Sequence, residues 1–316
     1  MKRIVIHFLT FLIIVALSYQ HNFSSYDLIM LDDFSNQAKQ VSINKSELVK
    51  EIEERSKEYE EPPQNAKIDK VWKKTPGRNG IKVNIEKSLE NMKDVGEFNK
   101  SLLVFEQVEP DIKLDDLPAS PIYRGHPDKR MVTLLINVAW GTENIPSILN
   151  TLKKHKVKAN FFIEGKWARN NTQLVKMIKE EGHLIGNHAF NHPDMKHLTK
   201  KENEEQIVKT NEILKAITGD TPKWFAPPSG SFTDEVVKTA AELEMETVLW
   251  SVDTVDWQKP TTSVMINRVM SKIHPGAMVL MHPTKVIEQG LDELILNIIQ
   301  NEYKIGTIER LLSEKR

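Results

Sequence analysis

Leu184-Ile185-Gly186-Asn187-His188-Ala189-Phe190-Asn191-His192-Pro193 decides how the rest of this chain is read. A short apolar run of strand character leads straight into two imidazoles four positions apart. Two neutral imidazoles so placed can converge on one divalent metal, zinc being well suited to nitrogen ligands. The alternative is a pair of hydrogen-bonded loop histidines. The stretch alone does not separate the two.

Working outward, the same rhythm repeats. Strand patterns fall at residues 133–138, 159–163, 184–187, 223–226, 247–252, 277–281 and 303–308, with helical patterns between them. Ile145, Ile148, Leu149 and Leu152 make one apolar stripe; Leu291, Leu294, Ile295 and Ile298 make another. Thr199-Lys200-Lys201-Glu202 reads as a capping box, and Gly219 stops the helix that follows. Seven strands alternating with helices imply a parallel α/β architecture, closed as a barrel or left as an open sheet. The notable polar residues sit where strands end: Asn137, His188 with His192, Asp253 with Asp256, and His282. Active sites of both architectures lie at that edge.

Composition narrows the classes. The chain has 316 residues, 40% hydrophobic and 28% charged, which suits a large globular domain with a smaller companion. A formal net charge of -1 gives no global electrostatic case for nucleic acid, so no nucleic-acid partner is expected. Cysteine is absent, which excludes disulfides and thiolate chemistry.

Upstream of the repeating region the organisation changes. Lys2 and Arg3 precede the apolar run from Ile4 to Leu17, shorter than the roughly 20 residues of a membrane span. Residues 1–19 therefore read as a secretory signal, with Ala16-Leu17-Ser18 as a cleavage site, or as an uncleaved membrane anchor. Either reading places the protein outside the cytoplasm, secreted or held at the outer face of the membrane. Residues 20–65 read as a polar stalk, and 66–112 as a small α/β module that binds cell-wall glycan or merely spaces. Residues 113–130, with Pro118, Pro121 and Pro127, read as a linker to a domain spanning 131–316.

From Val132 to about Leu312 the chain resembles the NodB-homology polysaccharide deacetylases, carbohydrate esterase family four. The linker and N-terminal module make it look like the sporulation-associated members from endospore-forming Gram-positive bacteria. The resemblance implies a distorted seven-stranded (β/α) barrel and metal-dependent hydrolysis of acetyl groups on peptidoglycan, chitin-like glycan or xylan. It makes His188-Ala189-Phe190-Asn191-His192 the counterpart of His-Ser/Thr-x-x-His, so His188 and His192 become ligands of zinc or another divalent metal. Trp250-Ser251-Val252-Asp253-Thr254-Val255-Asp256-Trp257 and Val279-Leu280-Met281-His282-Pro283 match two further motifs. They imply His282 as general acid, Asp256 as the carboxylate that holds it, and Trp257 with Pro227 and Pro228 at the substrate.

Two motifs depart from the pattern. Thr-Phe-Asp-Asp-Gly becomes Ile136-Asn137-Val138-Ala139-Trp140-Gly141, which puts Asn137 at the catalytic base and Val138 at the third metal ligand. Arg-Pro-Pro becomes Ala226-Pro227-Pro228. The losses are coupled, because an arginine left without its aspartate would be a buried unpaired charge. A missing general base typically costs about 10²–10⁴-fold in rate. A metal-bound hydroxide needs no separate base, so residual activity is compatible with the sequence. Glu143 and Asp194 are the candidate substitute ligands. Two expectations follow: a polysaccharide deacetylase with weakened chemistry at the cell wall or spore envelope, or a silent barrel that binds glycan or scaffolds wall remodelling.

Overall fold

The computed structural model describes residues 45–316. The expected signal or anchor at 1–19 and the first part of the stalk lie outside the described residues. Among the described residues no helix is long and apolar enough to cross a membrane.

Two compact units emerge. The smaller comprises the described residues up to Glu61 together with Ile81–Glu106; the larger comprises Pro62–Gly80 and Gln107–Arg316. In the smaller unit a helix over residues 45–56 and the helix Ile85–Met92 share a core of Leu48, Ile52, Val83, Met92 and Leu103. Asn84 caps the second helix by accepting from the Lys87 N–H. After this helix Lys100–Leu102 makes a 3₁₀ turn, and a strand follows at Phe105–Val108.

The larger unit is an α/β fold built on a curled parallel sheet. Its strands are β1 (Met131–Val138), β2 (Asn160–Ile163), β3 (Leu184–Asn187), β4 (Trp224–Phe225), β5 (Glu246–Thr247), β6 (Val252–Asp253) and β7 (Met278–Met281). Their order is β6-β7-β1-β2-β3-β4-β5, every neighbour parallel. A short β8 (Lys304–Ile305) pairs with the start of β1, on the edge that β2 occupies further along. Helices α1 (Ile145–Lys154), α2 (Gly165–Asn170), α3 (Thr172–Glu180), α4 (Lys200–Thr218), α5 (Asp234–Glu242), α6 (Thr262–Met270), α7 (Lys285–Gln300) and α8 (Ile308–Leu312) complete the unit. The capping box at Thr199 and Glu202 forms, and Gly219 takes the left-handed conformation that ends α4.

Alternation along the strands builds two layers. In β1, Val132, Leu134, Ile136 and Val138 pack toward the helices, with Ile145, Ile148, Leu149, Leu291, Leu294 and Ile295. Leu135 faces the interior with Phe162, Ala226, Val248 and Met278. Gly186 makes room for this packing, since a Cβ there would meet the Phe162 ring at 2.5 Å.

The curl does not close on itself. The expected strand at 247–252 is two short pieces, β5 and β6, which are not paired with each other. The seam is filled by residues 121–125, part of the expected linker. Ile122 donates to the Thr247 carbonyl and accepts from the Leu249 N–H, while Gly125 donates to the Gly276 carbonyl. Ile122 is fully buried in the interior layer. Residues 62–80, read from the sequence as the end of the stalk and the start of the module, also belong with this unit. Lys74 is buried there and reaches Glu246 Oε1 at 2.5 Å.

Candidate active site

The parity that sorts core layers also aims the polar groups. Asn137 shares the interior parity of Leu135 and is registered opposite Phe162. His282 follows Met281 with the parity of Met278, and His188 follows Asn187 with the parity of Leu184. All three therefore emerge at the C-terminal edge of the sheet, turned toward its concave side.

Asp256 and His282 form the best-organised pair. Asp256 is fully buried, and its Oδ1 lies 2.9 Å from His282 Nδ1. The same oxygen accepts from Thr254 Oγ1, and Oδ2 accepts from the His282 backbone N–H and from Thr284 Oγ1. An acceptor on Nδ1 fixes the imidazole, leaving Nε2 to hold or release a proton. The turn that delivers Asp256 places Val255 at φ 53°, which is costly for a β-branched residue. Asp253 Oδ1 secures that turn by accepting the Val255 N–H. Trp140 stacks on His282, with ring centroids 5.8 Å apart and planes 12° from parallel.

His188 and His192 meet edge to face, with centroids 5.2 Å apart. His188 is buried, and its Nδ1 donates to the Ala226 carbonyl at 2.7 Å, which leaves Nε2 as a lone-pair donor. Burial first, and the neighbouring His192 second, pull the His188 imidazole down to about 3, so it is neutral; burial also lowers His192. Ala189 and His192 both take positive φ, which folds the loop back on itself. Asn187 organises that fold: its Oδ1 accepts the Ala189 N–H, and its Nδ2 donates to Ile207 O and Asn211 Oδ1. Ala189 occupies an apolar cluster with Met195, Ile207 and Phe225.

A third metal ligand is missing. Among the described residues no three His, Asp or Glu side chains form a group able to hold a metal. Val138 is the last residue of β1 and points into the helix-facing layer, away from the histidines. Asp194 is engaged elsewhere, with Ser231 Oγ and with His197 Nδ1. Glu143 lines a cleft with Trp140 and Trp257 and joins no metal-binding group with the two histidines. The family's divalent metal thus finds two imidazoles here and no carboxylate, and the donor set does not fit it.

The base and arginine positions are equally quiet. Asn137 is buried and its Oδ1 has no hydrogen-bond partner. Ala226 is buried in the interior layer with Leu135 and Phe162. Of the expected substrate-facing residues, Trp257 is 53% exposed and forms, with Trp140, Glu143, Lys259 and Lys285, a cleft of about 570 Å³. Pro227 and Pro228 are buried and shape the turn in which Ser229 has φ 54°. Trp224 begins β4 and packs on the interior layer. Thr284 and Asn187 were not singled out in the sequence. Thr284 was findable as a helix cap following His282-Pro283; Asn187 carried no local signal beyond ending a strand.

The family model described as Polysaccharide deacetylase matches residues 124–248, and one described as Putative peptidoglycan binding domain matches residues 16–97. YlxY of Bacillus subtilis is 49% identical over 309 residues, covering 98% of this chain and 97% of that protein. The chain belongs to the polysaccharide deacetylase family, carbohydrate esterase family four. Wild-type BA3943 of Bacillus anthracis, described as a CE4 family pseudoenzyme, superposes with a TM-score of 0.79 at 51% identity, covering 85% of this chain and 96% of that one. The peptidoglycan-N-acetylmuramic acid deacetylase PdaA of Bacillus subtilis is 31% identical over 198 residues, covering 61% of this chain and 75% of that protein.

Proposed function

We propose that this chain is a non-catalytic member of its family that binds wall glycan across the sheet's C-terminal edge, with deacetylation weak or lost. One observation carries the reading: the interior beside His282 holds Asn137 and Ala226, an amide and a methyl group, where the reaction needs a carboxylate and its guanidinium partner. An amide oxygen does not take up a proton at neutral pH, so no base stands opposite the acid His282. The description of BA3943 as a pseudoenzyme supports the reading at 51% identity.

Binding rests on the half-exposed indoles of Trp140 and Trp257, whose faces suit sugar rings. The peptidoglycan-binding match at 16–97 points to the same polymer. The protein then acts outside the cytoplasm, delivered or anchored through residues 1–19, in wall or spore-envelope remodelling. The intact Asp256–His282 pair favours a second reading, slow hydrolysis at an incomplete site.

The full chain should co-sediment with purified peptidoglycan. It should release no more acetate from N-acetylglucosamine oligomers, with zinc or cobalt added, than His188→Ala does. Acetate release that His188→Ala abolishes would sink the non-catalytic reading and establish the second.

A further inference from the structure

At the opposite end of the sheet, where β1 and β8 begin, lies a groove of about 710 Å³. Cationic side chains outnumber carboxylates there by seven to two, in a chain whose formal net charge is -1. Asp128 pairs with Arg78 at 3.6 Å, and Arg130 meets the exposed Glu302 at 3.4 Å. Among the described residues no ion pair engages Lys304, Arg310 or Lys315, and all three are exposed. Like charges gathered without partners repel one another, so this concentration costs stability unless an anion relieves it.

Lys129 lies in the groove with its ammonium donating to the Arg310 and Ser313 carbonyls. Burial, then the nearby Arg310 and Arg78, lower it to about 8 against the pull of Glu314. An anion in the groove would offset that repulsion.

The shape and lining favour a threaded chain over a lipid surface. Membrane-surface binding needs apolar side chains to enter the acyl boundary. The apolar lining residue here, Met131, is buried. Guanidinium groups match phosphate oxygens in a two-pronged geometry, and lysines supply point charges alongside. We propose that this groove binds a linear phosphodiester polyanion, gripped by Lys304, Arg310 and Lys315, at the end of the sheet away from the glycan cleft. Such a protein would hold two polymers at once, a glycan at one end and a polyanion at the other.

Synthetic poly(glycerol phosphate) titrated against the full chain is the test, with inorganic phosphate and phosphatidylglycerol vesicles as parallel arms. The polymer should bind with an affinity that falls as salt rises. Lys304→Glu with Arg310→Glu should weaken it at least tenfold, and Lys304→Gln with Arg310→Gln less so, with a salt slope shallower by about 0.7 per cation removed. Melting curves of both pairs should fall no lower than the parent's, since neither residue holds an ion pair and their removal relieves like-charge repulsion. The glutamine pair keeps the test valid if the charge reversal disturbs folding. Polymer binding indifferent to both pairs overturns the proposal. So does vesicle binding that the substitutions abolish while the polymer fails to bind, or inorganic phosphate competing as well as the polymer at equal charge.

Discussion

Two halves of one site have had opposite fates. On the β6–β7 side, Asp256 still accepts four hydrogen bonds and holds His282 in place. On the β1–β4 side, Asn137 has an orphaned oxygen and Ala226 has nothing to offer it. The difference teaches that Asp256 has a structural occupation independent of chemistry. It knits the ends of β6, β7 and the cap of α7 together, so it would be kept even where catalysis lapsed. Asn137 and Ala226 take part in no such network, and an amide and a methyl group sit in the interior without a buried charge.

The largest effect should come from refitting the lost half. Asn137→Asp alone buries a carboxylate without a partner and should cost about 3 kcal/mol. Adding Ala226→Arg should recover much of that loss, read as a higher melting temperature than Asn137→Asp alone. A double variant melting no higher than Asn137→Asp breaks the coupling of the two positions.

Next comes removal of the kept half. Asp256→Ala strands the donors of His282, Thr254 and Thr284 and should lose about 2 kcal/mol in denaturant melts. Asn137→Ala should cost less than about 1 kcal/mol, because no hydrogen bond is broken. Equal costs at the two positions would erase the distinction drawn between them.

Acid probes the frame that carries both halves. His183 and His126 are buried, and burial lowers each to about 4. Their folded values lie below the unfolded value of about 6.5, so the unfolded chain binds more protons between those limits. Stability should be complete above pH 6.5 and fall toward pH 4, by at most about 1.4 kcal/mol per pH unit per histidine. His183→Gln should flatten that slope; a melt-derived slope unchanged by it would place the acid sensitivity elsewhere.

Much of this was legible in the chain because it is written in local periodicity. The stripes Ile145–Leu152 and Leu291–Ile298, the cap at Thr199 and the strand before His188 all need only neighbours in sequence. The seam was not legible. Pro118, Pro121 and Pro127 read as a linker, and nothing near Ile122 says that its hydrogen-bond partners lie at Thr247 and Leu249. The split of 247–252 into β5 and β6 follows from the same distant contact. The isolation of Asn137 was half visible: the sequence showed the missing carboxylate, but only packing showed that no donor replaced its partner.

The segment at 121–125 also bears on how the molecule assembles. It leaves the ribosome before any of the strands it must touch, and its docking partners at Thr247 and Gly276 are among the later ones made. Sealing the seam is therefore a long-range event that waits for almost the whole sheet, and such closures are slow compared with helix formation. Until then Ile122 is an exposed apolar side chain beside an open sheet edge, the period in which a nascent chain is most prone to pair with a neighbour instead of itself.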